Sequence, residues 1–445
     1  MRSPLGRARR SVGTRLAAPR SIAKVASLGP LPPAPTGIAT YHRAVLEGLE
    51  RIGSTQELPV DAVWPVTDPD FATVPAYHLA VAHLGNNAEF HLSIYRMVWQ
   101  APSLAVLHDL SLDDFVRGLM TGGDRLGFVA MREALEARDR IAMPEALANR
   151  PLRIPWIAAV ARRARGIVVH AEFCRRYLEE LGCRTPIFVV PHPPVETPRA
   201  ISAARPLGQR LREAVAARGG RTLVVAAGDV TGSKQLDGVL AAVASAPADV
   251  HAAVVGRSVA TYDFAEVAQR STLGSRLTVA TDVSDVEFLG WLHAADIVVD
   301  LRFPHRGEVS GTLARAMQVG RPTIVSATGT YLDSPDGTVV PVAPGPPDIA
   351  ELTARIAELA VDGAARERIG AAARAYMDDL AAREVTAHGY AHAIRSTIRV
   401  VRDPVGDNMR RWAGALADIG VSEAQLGEGY GLRFARALES FTHPS

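Results

Sequence analysis

The chain has 445 residues, 48% apolar and 22% charged, with a net charge of +2. That length exceeds the ~250–300 residues at which a single core stops growing, so two domains are expected. The near-neutral balance excludes a global basic field of the kind that binds nucleic acid, and no apolar run approaches the ~18 residues of a membrane span.

The sequence begins with a basic arm. Residues 1–21 carry six arginines and no acid. The arm has no apolar h-region and so does not read as a secretory signal. It is expected to be a disordered extension; a sharper reading is attraction to an anionic membrane surface, a peripheral contact at the inner membrane face. Cys174 and Cys183 are the only cysteines. They suggest neither a disulfide framework nor a cysteine-based zinc site, and they point to a cytoplasmic protein.

Beyond the arm, short Val-, Ile- and Ala-rich runs alternate with stretches of helical spacing. In the first half they fall at 24–29, 76–85, 104–109, 166–171 and 187–191, and in the second at 222–228, 251–256, 276–281, 296–301, 322–327 and 338–342. Runs apolar on both faces, alternating with helices, are the pattern of buried parallel strands. The expected fold is therefore α/β: two Rossmann-like doubly wound parallel-sheet domains facing across a cleft. The first is expected over 22–192 and the second over 211–400. A Pro-rich linker (193–210) joins them, and a helical tail (401–445) packs back on the first.

In such sheets ligands bind at the carboxyl ends of the strands, so the residues that follow each strand are the informative ones. After the first run, Gly37 and Ile38 open an amphipathic helix whose free N–H groups attract anions. The run 104–109 ends in the pair His108 and Asp109, where an imidazole can share a proton near neutral pH. Asp113 and Asp114 are expected to face solvent or to cap a helix. In the second half "GDVTGSKQLDGV" places Gly228 and Lys234 after the first strand, and Lys234 is one of only two lysines against 47 arginines. An ammonium is a compact point charge where a guanidinium is a flat fork, which suits a phosphate counter-charge in a tight loop. Further on, "LRFPHRGEVSGTLARAM" sets Glu308 just before Ser310, Gly311 and Thr312, which read as an exposed helix start. A carboxylate beside a phosphate is repulsive, so Glu308 and the helix start should address different parts of one ligand. A sugar attached to a diphosphate is such a ligand.

In number and order, "PTGIATYHRAVLEGL", "HLGNNAEFHLSIYRMV", "PSLAVLHDLSLDDF", "ARGIVVHAEFCRRYL", "VVPHPP", "AAGDVTGSKQLDGVLAAV", "WLHAADIVVDLRFPHRGEVSGTLARAMQVGRPTIVS" and "DSPDG" resemble the GT-B retaining glycosyltransferases of group 1, also called family 4, over roughly residues 22–400. The resemblance implies transfer of a sugar from a nucleotide-diphosphate sugar to a hydroxyl-bearing acceptor (a glycan, a lipid-linked sugar or a small natural product). Beyond that co-substrate it implies no cofactor, no metal and no nucleic-acid partner. Lys234 then resembles the basic residue that clamps the donor diphosphate, Glu308 the acid that holds donor-sugar hydroxyls, and His108 the histidine near the reacting sugar. Gly37 resembles the first-lobe loop across the cleft, and Ser310, Gly311 and Thr312 the helix start beneath the phosphates. Asp109, Gly228, Arg302 and Arg315 complete the expected donor-binding set. The chain also departs from the family. Glu308 stands one position from the family's first glutamate, Arg315 takes the place of the later acid, and Asp229 occupies the position of a helper arginine, a role Arg302, Arg306 or Arg257 could take over. Those departures keep two rivals in view: an inactive nucleotide-sugar-binding partner subunit, and a sugar-nucleotide 2-epimerase.

Overall fold

The computed structural model describes residues 23–63, 74, 76–259, 262–345 and 348–402. Two six-stranded sheets carry the architecture. The first contains β1 (Val25–Leu28), β2 (Val60–Val63), β3 (Leu79–Leu84), β4 (Ser103–Leu107), β5 (Gly166–Val169) and β6 (Ile187–Val189), in the order β2-β1-β3-β4-β5-β6. The second contains β7 (Thr222–Ala227), β8 (Val250–Gly256), β9 (Leu277–Thr281), β10 (Ile297–Asp300), β11 (Thr323–Ser326) and β12 (Val340–Val342), in the order β12-β11-β10-β7-β8-β9. All neighbouring strands are parallel. The chain order reverses around β1 in the first sheet and around β7 in the second, and ligand crevices form beside such switch points.

Each sheet is buried on both faces. In the first, Ala26, Leu28, Ala80, Ala82 and Leu84 point into one core while Val25, Leu79, Val81, Leu104 and Val106 point into the other. The second sheet divides in the same way, with Val224 and Val254 on one side and Leu223, Val225 and Val255 on the other. Each such aliphatic side chain contributes roughly 1.5–3 kcal/mol on burial, which is why these runs carry no polar alternation.

Three features differ from the sequence-based expectation. β2 is an additional edge strand, only four residues long and interrupted by Asp61, too short and mixed to stand out as an apolar run. The expected linker at 193–210 is mostly helix: Thr197 caps the helix Pro198–Ala216 by accepting from Ala200 N at 3.1 Å, Pro198 starts it, and Pro206 sits inside it. Proline at a first helical turn costs nothing, because that N–H would be unbonded anyway. This helix packs on Asp285–Ala294 of the second lobe, so it belongs to that lobe and only 193–197 is extended. The return to the first lobe also comes a helix early. Val385–Arg402 places Tyr390, Ile394 and Ile398 in the first-lobe core, and Tyr390 Oη lies 2.9 Å from Tyr41 Oη. The basic arm and all but the first two residues of the expected tail lie outside the described residues.

Candidate active site

The strand-end loops of β4 and β10 meet between the lobes. Arg306 carbonyl oxygen accepts from Leu110 N (2.8 Å) and Ser111 N (3.1 Å), and the Arg306 guanidinium reaches Asp113 Oδ1 at 2.9 Å and Asp114 Oδ2 at 3.0 Å. Asp113 and Asp114 do stand in the first turn of a helix, Asp113–Thr121, but they also pair across the lobe boundary. Asn149 Oδ1 accepts from His305 N at 3.1 Å, and its amide donates back to the His305 carbonyl. Gly307 makes this contact possible. Its φ is 75°, and a Cβ there would stand 2.6 Å from the Leu110 side chain. Only glycine combines that conformation with so close an approach.

On the second-lobe wall, Gly228, Lys234 and Thr312 come together as expected. Gly228 has φ 107°, and a Cβ on it would lie 2.5 Å from Thr312 Oγ1 and 3.1 Å from Lys234 Nζ. Ser310 caps the helix Gly311–Val319, its hydroxyl accepting from Leu313 N at 3.2 Å, and a Cβ on Gly311 would meet open space. The helix therefore presents an uncrowded N-terminus beside Gly228, the geometry that attracts an anion. Gly37, at the first position of Gly37–Arg51 on the other lobe, likewise faces open space.

Lys234 itself is buried. Nζ donates to the Ala227 carbonyl at 3.0 Å and to Asp300 Oδ1, while Asp300 Oδ2 accepts from Tyr331 Oη at 2.9 Å. Burial works against the Asp300 carboxylate, but Lys234 and Arg302 outweigh it and hold its pKa below the usual carboxylate range. An ammonium has three N–H donors, so two engaged by these acceptors leave one. The sequence places Lys234 as the counter-charge to a diphosphate and says nothing of an internal partner. In the structure it is internally paired with Asp300, because a buried ammonium without a carboxylate is prohibitively costly. Asp300 and Tyr331 escaped the sequence reading: Asp300 sits at the end of an apolar run, and Tyr331 comes from a loop distant in sequence.

Glu308 accepts from Arg306 N and stands 3.4 Å from Arg302 Nε. Arg302 is enclosed; burial opposes its charge, but Glu308, Tyr331 and Asp300 more than compensate and raise its pKa. Across the boundary Asp109 accepts from Asn86 N at 3.0 Å. Burial, and then the nearby Glu308 charge, push its pKa to about 7. Arg315 lies a turn into its helix and donates to Glu196 Oε1 at 2.6 Å, with the Phe288 ring beneath its guanidinium at 5.4 Å. Its guanidinium is thus committed to the segment joining the lobes, not to the Gly228–Thr312 corner. Arg257 pairs with Asp229 at 2.7 Å, so the acid in the helper position consumes that arginine's charge.

His108 belongs to a nest of imidazoles at the strand ends of the first lobe. Its Nε2 lies 3.1 Å from His83 Nδ1, so one ring donates and the other accepts, and Tyr41 meets it edge-on at 4.7 Å. His170 and His192 close around the same tyrosine at 5.0 and 5.1 Å. His42 packs against His83 with ring centroids 4.3 Å apart and the planes tilted by 36°. Burial, then the neighbouring His170 and His83, hold His108 well below its usual pKa and therefore neutral. A neutral imidazole can position a sugar hydroxyl by hydrogen bonding. The nest was not legible in advance, since its members come from segments far apart in sequence. Among the described residues no three His, Cys, Asp or Glu side chains converge as a metal site would require.

Solved structures share this two-lobed fold. A sucrose-phosphate synthase from Thermosynechococcus elongatus superimposes with a TM-score of 0.56, at 16% identity over 85% of this chain and 98% of that one. The fold is GT-B. Anabaena HepE in complex with UDP and glucose shares the GT-B fold at a TM-score of 0.54 and 16% identity, covering 85% of this chain and 99% of its own. A glycosyltransferase from Rickettsia africae does so at 0.52 and 11%, covering 86% and 99%. No protein-family model and no curated protein matches the sequence. The corner formed by Gly228, Lys234 and Thr312 thus stands at the strand ends of one GT-B lobe, and His108 and Asp109 at those of the other. Among the described residues no helix is long and apolar enough to cross a membrane.

Proposed function

We propose that the protein is a metal-independent glycosyltransferase that moves a sugar from a nucleotide-diphosphate donor to a hydroxyl-bearing acceptor with retention at the anomeric carbon. The observation that carries this reading is the convergence of Gly228, Lys234 and Thr312 on the open N-terminus of Gly311–Val319. Departure of the leaving group puts negative charge on the diphosphate. The helix N–H groups and the remaining Lys234 donor stabilise that charge more in the transition state than in the ground state. His108, held neutral, positions the donor sugar, and Glu308 accepts from its hydroxyls. The acceptor, in this reading, occupies a groove of about 630 Å³ beside Arg306, whose walls include Met120, Met131, Trp156 and Arg150.

A second reading draws support from the Lys234–Asp300 and Arg302–Glu308 pairs, which commit both cations to internal acids. It is a partner subunit that binds a nucleotide sugar without turnover. A panel of UDP-, GDP-, ADP- and TDP-sugars, scored for binding and then for release of nucleoside diphosphate with candidate acceptors, separates the two. Tight binding without release on any acceptor favours the partner subunit, and absence of binding to every donor refutes both.

A further inference from the structure

The second lobe has another cavity, of about 900 Å³, away from the candidate site. It opens at the amino-terminal ends of the strands, whereas the candidate site uses the carboxyl ends. Arg205 and Arg212 come from the helix Pro198–Ala216, and Arg221, Asp296 and Arg321 lie just before β7, β10 and β11. With Glu213 on the same wall, four arginines face two carboxylates, a net of +2.

Those acids are insufficient. Asp296 already accepts from Leu223 N at 2.8 Å and pairs with Arg212 at 3.2 Å. Arg212 also donates to the Gly220 and Arg221 carbonyls. Arg321 donates to the His293 carbonyl at 2.7 Å, yet its Nε is buried with no acceptor. Burial disfavours the Arg321 charge and Arg205 adds repulsion, with only Asp296 in support, so its pKa is lowered. Arg205 and Arg221 are exposed and have no hydrogen-bonding acid among the described residues. The exposed guanidinium groups of Arg205 and Arg221 therefore keep unengaged donors on a wall whose acids are already in use, and an anion in the cavity would pair with them and offset the repulsion between Arg205 and Arg321.

We propose that this cavity binds a phosphorylated small molecule, with its anionic group held by Arg205, Arg221 and Arg321. Guanidinium groups match phosphate oxygens through paired N–H donors, and the volume suits a ligand larger than a bare ion. The site is separate from the interlobe cleft, and its occupancy does not depend on the transferase reading.

The test is calorimetric titration of inorganic pyrophosphate into the full chain, with phosphatidylglycerol vesicles as a second arm. Wild-type protein is expected to bind pyrophosphate saturably, and absence of such binding overturns the proposal. The double substitution Arg205→Glu and Arg221→Glu is expected to weaken binding by about tenfold or more, the scale of one charge-assisted contact. Both residues are exposed, and an unchanged melting curve verifies that the double variant folds. Unchanged affinity in the double variant overturns the proposal, as does binding that weakens only in Lys234→Ala, which would belong to the cleft. Binding to vesicles without binding to pyrophosphate also overturns it, because the ligand would then be a lipid surface.

Discussion

Lys234 Nζ donates to Asp300, so the ammonium best placed to meet a diphosphate is already held by an acid of its own lobe. The pair is buried on both sides, at 5% and 0% side-chain exposure. Breaking a buried pair strands a charge and typically costs about 3–5 kcal/mol. Lys234→Ala is therefore expected to lose stability on that scale in urea unfolding and to lower turnover by roughly 10² or more, as loss of one preorganised donor does. The double variant Lys234→Met with Asp300→Asn removes both charges. It is expected to regain much of the stability and none of the turnover, whereas recovery of turnover would show that Lys234 acts only structurally.

Acid should destabilise the first lobe. Burial pushes His42, His91 and His170 down to about 4 and, with His170 nearby, His192 to about 3. The unfolded chain takes up these protons near pH 6.5 and the folded chain does not. Stability is thus intact above about pH 6.5 and falls as pH drops toward 4, by about 1.4 kcal/mol per pH unit for each histidine. Asp109, raised to about 7, works in the opposite direction, losing stability as pH rises from its unfolded value through 7. That single carboxyl is outnumbered by the buried imidazoles. Urea midpoints at about pH 7.5, 6.0 and 5.0 should therefore decline steeply, and a flat series would refute the neutral nest.

The Arg306 guanidinium, held by Asp113 and Asp114, fastens one lobe to the other. The pair is partly exposed, so its net worth is about 1 kcal/mol. Arg306→Ala is expected to change global stability little and to shift the lobes toward a more open arrangement, read as a larger radius of gyration in X-ray scattering. An unchanged radius would mean that the Leu110–Arg306 and Asn149–His305 contacts hold the lobes closed without it.

Every strand but β2 was legible because runs such as "TLVVAAG" (222–228) and "HAAVVG" (251–256) are apolar on both faces, the pattern of a covered parallel sheet. The placement of Gly228 with Thr312 was legible for a related reason: strand-end loops converge in such sheets, whatever the intervening sequence. What pairs with what was not. Asp300 reads as the last residue of an apolar strand, and its role appears only when Lys234 folds over it from 66 positions away. Arg315, expected in the donor-binding set, is turned by helical rotation toward Glu196. The Pro-rich segment reads as a linker because composition does not reveal that Thr197 caps a helix that tolerates Pro206.

The most direct test of the account is donor turnover: the sugar donor panel is incubated with acceptors, nucleoside diphosphate release is measured, and the anomeric configuration of the product is read by NMR. One donor class is expected to bind and to give a product that retains its configuration. Inversion at the anomeric carbon, or failure of every nucleotide sugar to bind, would contradict it.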